Sequence, residues 1–172
     1  MGLINSILAW VMKKRIHQIE LFMKYPHDVQ DEILKKLLQS ARGTEFGKKY
    51  DFDSITNYEQ FAERVPIASY EDMFPYIERL MRGEQNILWP SEIKWFSKSS
   101  GTTNARSKFI PVSTEALEDC HFKGGKDMLS IYVNTHPETK IFDGKGLGVG
   151  GSYQLNEYDS SATSYYGDVS AV

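Results

Sequence analysis

The run Phe96-Ser97-Lys98-Ser99-Ser100-Gly101-Thr102-Thr103-Asn104-Ala105-Arg106-Ser107-Lys108 holds the densest set of groups suited to chemistry. A polyphosphate needs many hydrogen-bond donors and little bulk around it. Gly101 lets the backbone take positive φ and come close to a ligand. Successive backbone N–H groups in such a turn form an anion-binding nest. The hydroxyls of Ser99, Ser100, Thr102 and Thr103 add donors, and Lys98, Arg106 and Lys108 add positive charge. The run therefore suits phosphate. It is not a Walker A loop, which needs Gly-x-x-x-x-Gly-Lys-Ser/Thr opening a helix; one glycine is present and a strand-like run follows Lys108. A solvated Ser/Thr-rich hairpin loop has the same composition, so the residue types alone leave both readings open.

The loop must be held by its flanks. Residues 93–97 are short and aromatic, and Lys108-Phe109-Ile110-Pro111-Val112 is β-rich, so both read as strands, the second at a sheet edge because of Pro111. Downstream, Ser113 or Thr114 caps a longer helix whose predicted inner face is Leu117, Cys120, Gly124, Met128 and Ile131. A buried strand with a close backbone neighbour is expected over residues 147–152, where Gly148, Gly150 and Gly151 leave room.

Residues 1–86 read as mainly helical. Ile4, Leu8, Val11, Ile16, Ile19 and Met23 fall near helical spacing. Pro26 ends that helix, and Asp28 caps a second one with Val29, Ile33, Leu34, Leu37, Leu38 and Ala41 on one face. Thr56 and Glu59 read as a capping box for a short helix around Phe61. Ser69 and Asp72 open a further helix, with Met73, Ile77, Leu80 and Met81 inward and Gly83 behind it. Residues 87–172 read as mixed α/β, with the phosphate-binding loop at 97–108. The expected fold class is mixed α/β: a helical N-terminal region, a strand–loop–strand hairpin, then further α/β elements.

Several function classes are excluded by totals. A net charge of −3 over 172 residues gives no nucleic-acid footprint. The apolar run at the N-terminus is too short to span a bilayer and carries its positive charge on the wrong side for a secretory signal. A single cysteine, Cys120, excludes an internal disulfide and suits a cytoplasmic protein. His17, His27, His121 and His136 lack metal-ligand spacing, so no metal-ligating residue is expected.

Ser99-Ser100-Gly101-Thr102-Thr103, followed by Lys108-Phe109-Ile110-Pro111, resembles the first nucleotide-binding motif of the auxin-responsive acyl-acid amido synthetases, the Gretchen Hagen family of the adenylate-forming superfamily. Thr44, Phe46-Gly47, Tyr50, Val65-Pro66, Tyr70 and Gly83-Glu84 resemble its N-terminal helical region, and Gly150-Gly151-Ser152 and Gly167-Asp168-Val169-Ser170-Ala171 resemble later segments. Ala105 stands where many relatives carry glycine.

The resemblance implies an ATP-dependent ligase that uses Mg2+. Such an enzyme activates a small-molecule carboxylic acid as an acyl-adenylate, then transfers the acyl group to an amine, an amino acid in the leading reading. An acyl-CoA-forming ligase or a non-catalytic binding fragment are the alternatives. Ser99, Ser100, Gly101, Thr102, Thr103 and Lys108 are the implied nucleotide-binding residues. The resemblance also implies the N-terminal part of a larger adenylate-forming domain. The 172 residues alone are therefore expected not to turn over ATP, and apolar faces near residues 140–172 are expected to favour self-association.

Overall fold

A computed structural model describes residues 3–99, 107–156 and 164–168, and the chain divides into two compact units. The first comprises residues 1–30 and 115–149. Its frame is α1 (Leu3–Lys24) packed on α7 (Lys123–Thr135). Val11, Ile16 and Ile19 are half-buried as their spacing requires, but the centre of the packed stripe is Arg15, 8% exposed. Its guanidinium forms a two-pronged ion pair with Asp127, Nη2 to Oδ2 at 2.8 Å and Nε to Oδ1, and also donates to Gln18 Oε1. Beside it, the Ser130 hydroxyl donates to the Lys126 carbonyl at 2.7 Å and lies 3.0 Å from Met12 Sδ. Polar atoms on this seam are thus satisfied internally, the condition for burying them at tolerable cost.

The predicted inner face of the last helix is corrected. Cys120 and Gly124 are exposed, as are Met128 (65%) and Ile131 (47%), whereas Asp127, Leu129, Ser130 and Val133 pack inward. Between α6 (Thr114–Ala116) and α7 lies a π-helical segment, Leu117–Phe122. Its i→i+5 turns break the 3.6-residue phase, so a stripe projected from Leu117 falls on the wrong side beyond it.

The second unit comprises residues 31–114 and 150–172 and holds the core. α2 runs Pro26–Ala41, so Pro26 opens this helix as well as closing α1; its missing N–H is one of the donors left unpaired in any first turn. Leu38 and Ala41 are buried with Phe52 and Ile55, while Ile33 and Leu37 stay half exposed. Thr44 caps α3 (Glu45–Lys49), accepting from the Gly47 N–H at 2.9 Å. The cap of α4 (Tyr58–Arg64) is Asn57, one residue later than the predicted Thr56. Asn57 accepts from the Gln60 N–H, and the Gln60 side chain turns back to the Thr56 N–H, both at 2.9 Å. α5 (Tyr70–Met81) starts from the expected Ser69–Asp72 capping box and ends at Gly83, φ +92°.

Ile77, Leu80 and Met81 of α5 form the main core with Ile87, Ile93 and Phe96. Against it the described residues form a four-stranded mixed sheet in the order β2-β1-β4-β3. β1 (Trp95–Lys98) pairs antiparallel with β2 (Phe109–Val112) and parallel with β4 (Ser164–Gly167), and β4 pairs antiparallel with β3 (Tyr153–Asn156). Among the described residues β2 is an edge strand, in keeping with Pro111. The strand expected over residues 147–152 is not formed: Leu147 and Val149 are 95% and 92% exposed, and β3 begins at Tyr153. The Asp168 N–H closes the ladder on the Ser152 carbonyl at 3.1 Å, and among the described residues no strand lies beside those upstream.

Candidate functional site

Strand alternation sorts the sheet into two faces. Register pairs Lys98 with Phe109, Phe96 with Tyr166, and Tyr166 with Gln154. This face packs Phe96, Phe109 and Tyr166 on the α5 core. Beyond the core the same face continues into polar residues. There Lys98, Ser107, Ser152, Gln154, Tyr166 and Asp168, joined by Ser99 and Gly167 at the strand ends, line one open cavity of about 290 Å³. The opposite face carries a three-ring cluster, with Trp95 5.7 Å from Tyr153 and 6.2 Å from Tyr165 between ring centroids.

The cavity's wall is built by specific contacts. Tyr166 donates its hydroxyl to Gln154 Oε1 at 2.8 Å, which leaves the Gln154 amide nitrogen as the outward group. The Lys98 ammonium stands 5.6 Å from the Tyr166 ring centroid, a cation–π contact that holds a positive charge at the rim. Gly151 and Gly167 make the close approaches. A Cβ on Gly151 would fall 2.3 Å from Asp168 Cβ, and one on Gly167 would fall 2.3 Å from the Ser152 carbonyl oxygen. Gly148 shows no such neighbour.

At the foot of the hairpin loop, Ser99 and Lys108 form the closing rung. The Ser99 N–H donates to the Lys108 carbonyl at 2.9 Å, and the Lys108 N–H donates to Ser99 Oγ at 3.0 Å. The Lys108 ammonium lies 5.0 Å over the Tyr70 ring and does not line the cavity. Ser100, Gly101, Thr102 and Thr103 lie outside the described residues, as do Ala105 and Arg106. Among the described residues no group of three or more His, Cys, Asp or Glu side chains could hold a metal ion, and no helix is long and apolar enough to cross a membrane.

A family model described as the GH3 family N-terminal domain matches residues 15–172. The chain belongs to the GH3 family. Among its relatives is a jasmonoyl–L-amino acid synthetase, JAR4 of Nicotiana attenuata, 34% identical over 135 residues, covering 77% of this chain and 22% of that protein. Another is an indole-3-acetic acid-amido synthetase, GH3.2 of Arabidopsis thaliana, 33% identical over 106 residues, covering 61% of this chain and 19% of that protein. The solved AtGH3.15 acyl acid amido synthetase in complex with 2,4-DB superposes with a TM-score of 0.64 at 25% identity, covering 72% of this chain and 21% of that chain. The chain thus spans about a fifth of the length of the relatives it matches.

Of the residues lining the cavity of this GH3 chain, Lys98 and Ser99 belong to the phosphate-suited set read from the sequence; Ser107 and Gln154 do not, and Lys108 of that set lies outside the cavity. Gln154 and Tyr166 carry no local signal of their own. The period-2 rows Ser152/Gln154 and Tyr166/Asp168 were the available clue, once β3 and β4 are known to pair. Asp168 has its N–H in the sheet ladder and its side chain against Gly151, in the cavity wall.

Proposed function

We propose that this GH3 chain forms the nucleotide-phosphate-binding part of an ATP-dependent ligase that joins a carboxylic acid to an amine. The carboxylate attacks the α-phosphorus of ATP, the bond to the β-phosphate oxygen breaks, and pyrophosphate leaves. The amine, an amino acid by analogy with the relatives' names, then attacks the acyl carbon, AMP leaves, and the amine proton passes to solvent.

One observation carries the reading. The loop's base and the ends of β3 and β4 converge on a single cavity with an ammonium, three serine hydroxyls, an amide, a phenol and one carboxylate, that of Asp168. The cavity, about 290 Å³ and open to solvent, has room for phosphate groups. Ser99, Ser107 and Ser152 supply donors to phosphate oxygens, and Lys98 supplies countercharge as pyrophosphate leaves. The proposal extends this set to Ser100, Gly101, Thr102, Thr103 and Lys108.

Asp168 tests the fit of Mg2+. A carboxylate beside a polyphosphate repels it unless a cation stands between them. Magnesium is commonly bound through one or two carboxylates plus substrate phosphates, so one carboxylate is a sufficient protein contribution here. The ion would neutralise phosphate charge, and Asp168 would orient it.

Titration of the chain with magnesium tripolyphosphate tests the site. Binding is expected, and Ser100→Ala with Thr102→Val should weaken it by roughly tenfold to hundredfold, the worth of a hydrogen bond to a charged group. No binding by the unmodified chain, or equal binding by the double variant, refutes the loop's role. Acid-dependent exchange of labelled pyrophosphate into ATP, by an enzyme containing this chain, tests adenylation itself.

A further inference from the structure

Among the described residues no strand lies on the outer side of β2, and at its first residue a side chain takes up the outward backbone groups. The Phe109 N–H donates to Tyr70 Oη at 2.9 Å, and the Tyr70 hydroxyl reaches back to the Phe109 carbonyl at 3.5 Å. One phenol therefore serves both outward backbone groups of Phe109, which an edge strand otherwise leaves to water. The neighbouring residue, Lys108, faces the other way and closes the loop through Ser99. Its ammonium sits over the Tyr70 ring. Tyr70 holds both contacts without lining the cavity.

Tyr70 is itself placed with little freedom. It is the first residue of α5, where Ser69 Oγ accepts from the Asp72 N–H at 3.2 Å and Asp72 accepts from the Ser69 N–H at 2.8 Å and hydroxyl at 2.7 Å. Its ring packs on the main core and lies 5.8 Å from the Phe74 ring. A rigid helix start is thus tied, through one side chain, to the C-terminal foot of the loop.

We infer that Tyr70 is a positioning residue for phosphate binding: its hydroxyl anchors Phe109 and its ring anchors Lys108, so α5 sets where the loop's C-terminal foot stands. The inference rests on the phosphate-binding reading above. It assigns Tyr70 no contact with the ligand. An unanchored foot must be ordered when the anion binds, and that ordering is taken from the affinity.

The test uses the 172-residue chain and magnesium tripolyphosphate. Tyr70→Phe keeps the ring under Lys108 and removes the hydroxyl. Amide hydrogen exchange at Phe109 should quicken by about tenfold, and tripolyphosphate should bind about tenfold more weakly, each the worth of one hydrogen bond. The melting temperature should fall by only a few degrees, because one edge-strand hydrogen bond is lost while the ring keeps its packing on the core. Tyr70→Leu also releases Lys108 and should bind more weakly still. A merely structural role predicts the opposite split: a lower melting temperature with unaltered affinity in the folded protein, and that result overturns the inference. Equal affinity in Tyr70→Phe, with tight binding by the unmodified chain, removes Tyr70 and leaves the phosphate site intact. Absence of binding by the unmodified chain removes both. If Tyr70→Phe does not fold, Asp72→Asn loosens the helix start that aims Tyr70 and should weaken binding severalfold; unchanged affinity there also overturns the inference.

Discussion

Gly167→Ala is the substitution whose consequence follows most directly from the backbone. The new Cβ would lie 2.3 Å from the Ser152 carbonyl oxygen, 2.7 Å from Tyr153 Cα and 3.0 Å from Tyr153 Cβ. Comfortable carbon contacts begin near 3.5 Å, so β3 must retreat by about 1 Å. Two of the obstacles are backbone atoms, which no rotamer change can move. The Asp168 N–H to Ser152 carbonyl bond starts at 3.1 Å, and such a retreat takes it beyond hydrogen-bond range. Overpacking costs about 1–3 kcal/mol and one net hydrogen bond about 1, for a sum near 2–4 kcal/mol. At roughly 2–4 °C per kcal/mol for a chain of this size, the melting temperature should fall by about 4–16 °C.

β3 and the residue before it supply Gln154 and Ser152 to the cavity wall, so tripolyphosphate affinity should fall with stability. Gly148→Ala is the control, since a Cβ there meets nothing within 4 Å; it should lie within about 0.5 kcal/mol of the unmodified chain. Calorimetric melting of both variants decides the matter. If Gly167→Ala melts with the unmodified protein, the close approach of β3 and β4 is wrong, and the shape of the cavity wall with it.

Two further predictions concern acid–base behaviour. Asp127→Asn leaves the buried Arg15 without its counter-ion and should cost about 2–3 kcal/mol by urea unfolding, less than the 3–5 of a fully buried pair because Asp127 remains 26% exposed. Arg15 holds the Asp127 carboxyl below its ordinary range, so this contribution is present above about pH 4 and fades as pH falls through the depressed folded value. The gap between the two proteins should therefore close in acid, and a constant gap down to pH 3 refutes the pairing. Hydrogen bonds from the Ser69 hydroxyl and N–H likewise hold the Asp72 carboxyl low; Ser69→Ala should move its titration upward by NMR, and an unmoved titration rules out the capping box.

Local chemistry was legible wherever a residue acts on its own neighbours. The Ser69–Asp72 capping box, the stop at Gly83 and the edge position of Pro111 all follow from residue types within a few positions of one another. Long-range pairing was not. The sequence placed a strand over residues 147–152, because glycines permit close approach without saying what approaches; the pairing with β4 moved the strand to Tyr153 and left the contact to Gly151 and Gly167. A π turn, invisible to 3.6-residue periodicity, moved Cys120 and Met128 to the surface and brought Asp127 to Arg15 across a separation of 112 residues. The Tyr70–Phe109 anchor spans 39 residues and depends on where α5 packs against β2. By itself, then, the sequence determined the residue chemistry and the local caps, since these depend on neighbours within about one helical turn. Tertiary structure alone decided which polar rows share one cavity, because strand register converts a one-residue shift into a change of face.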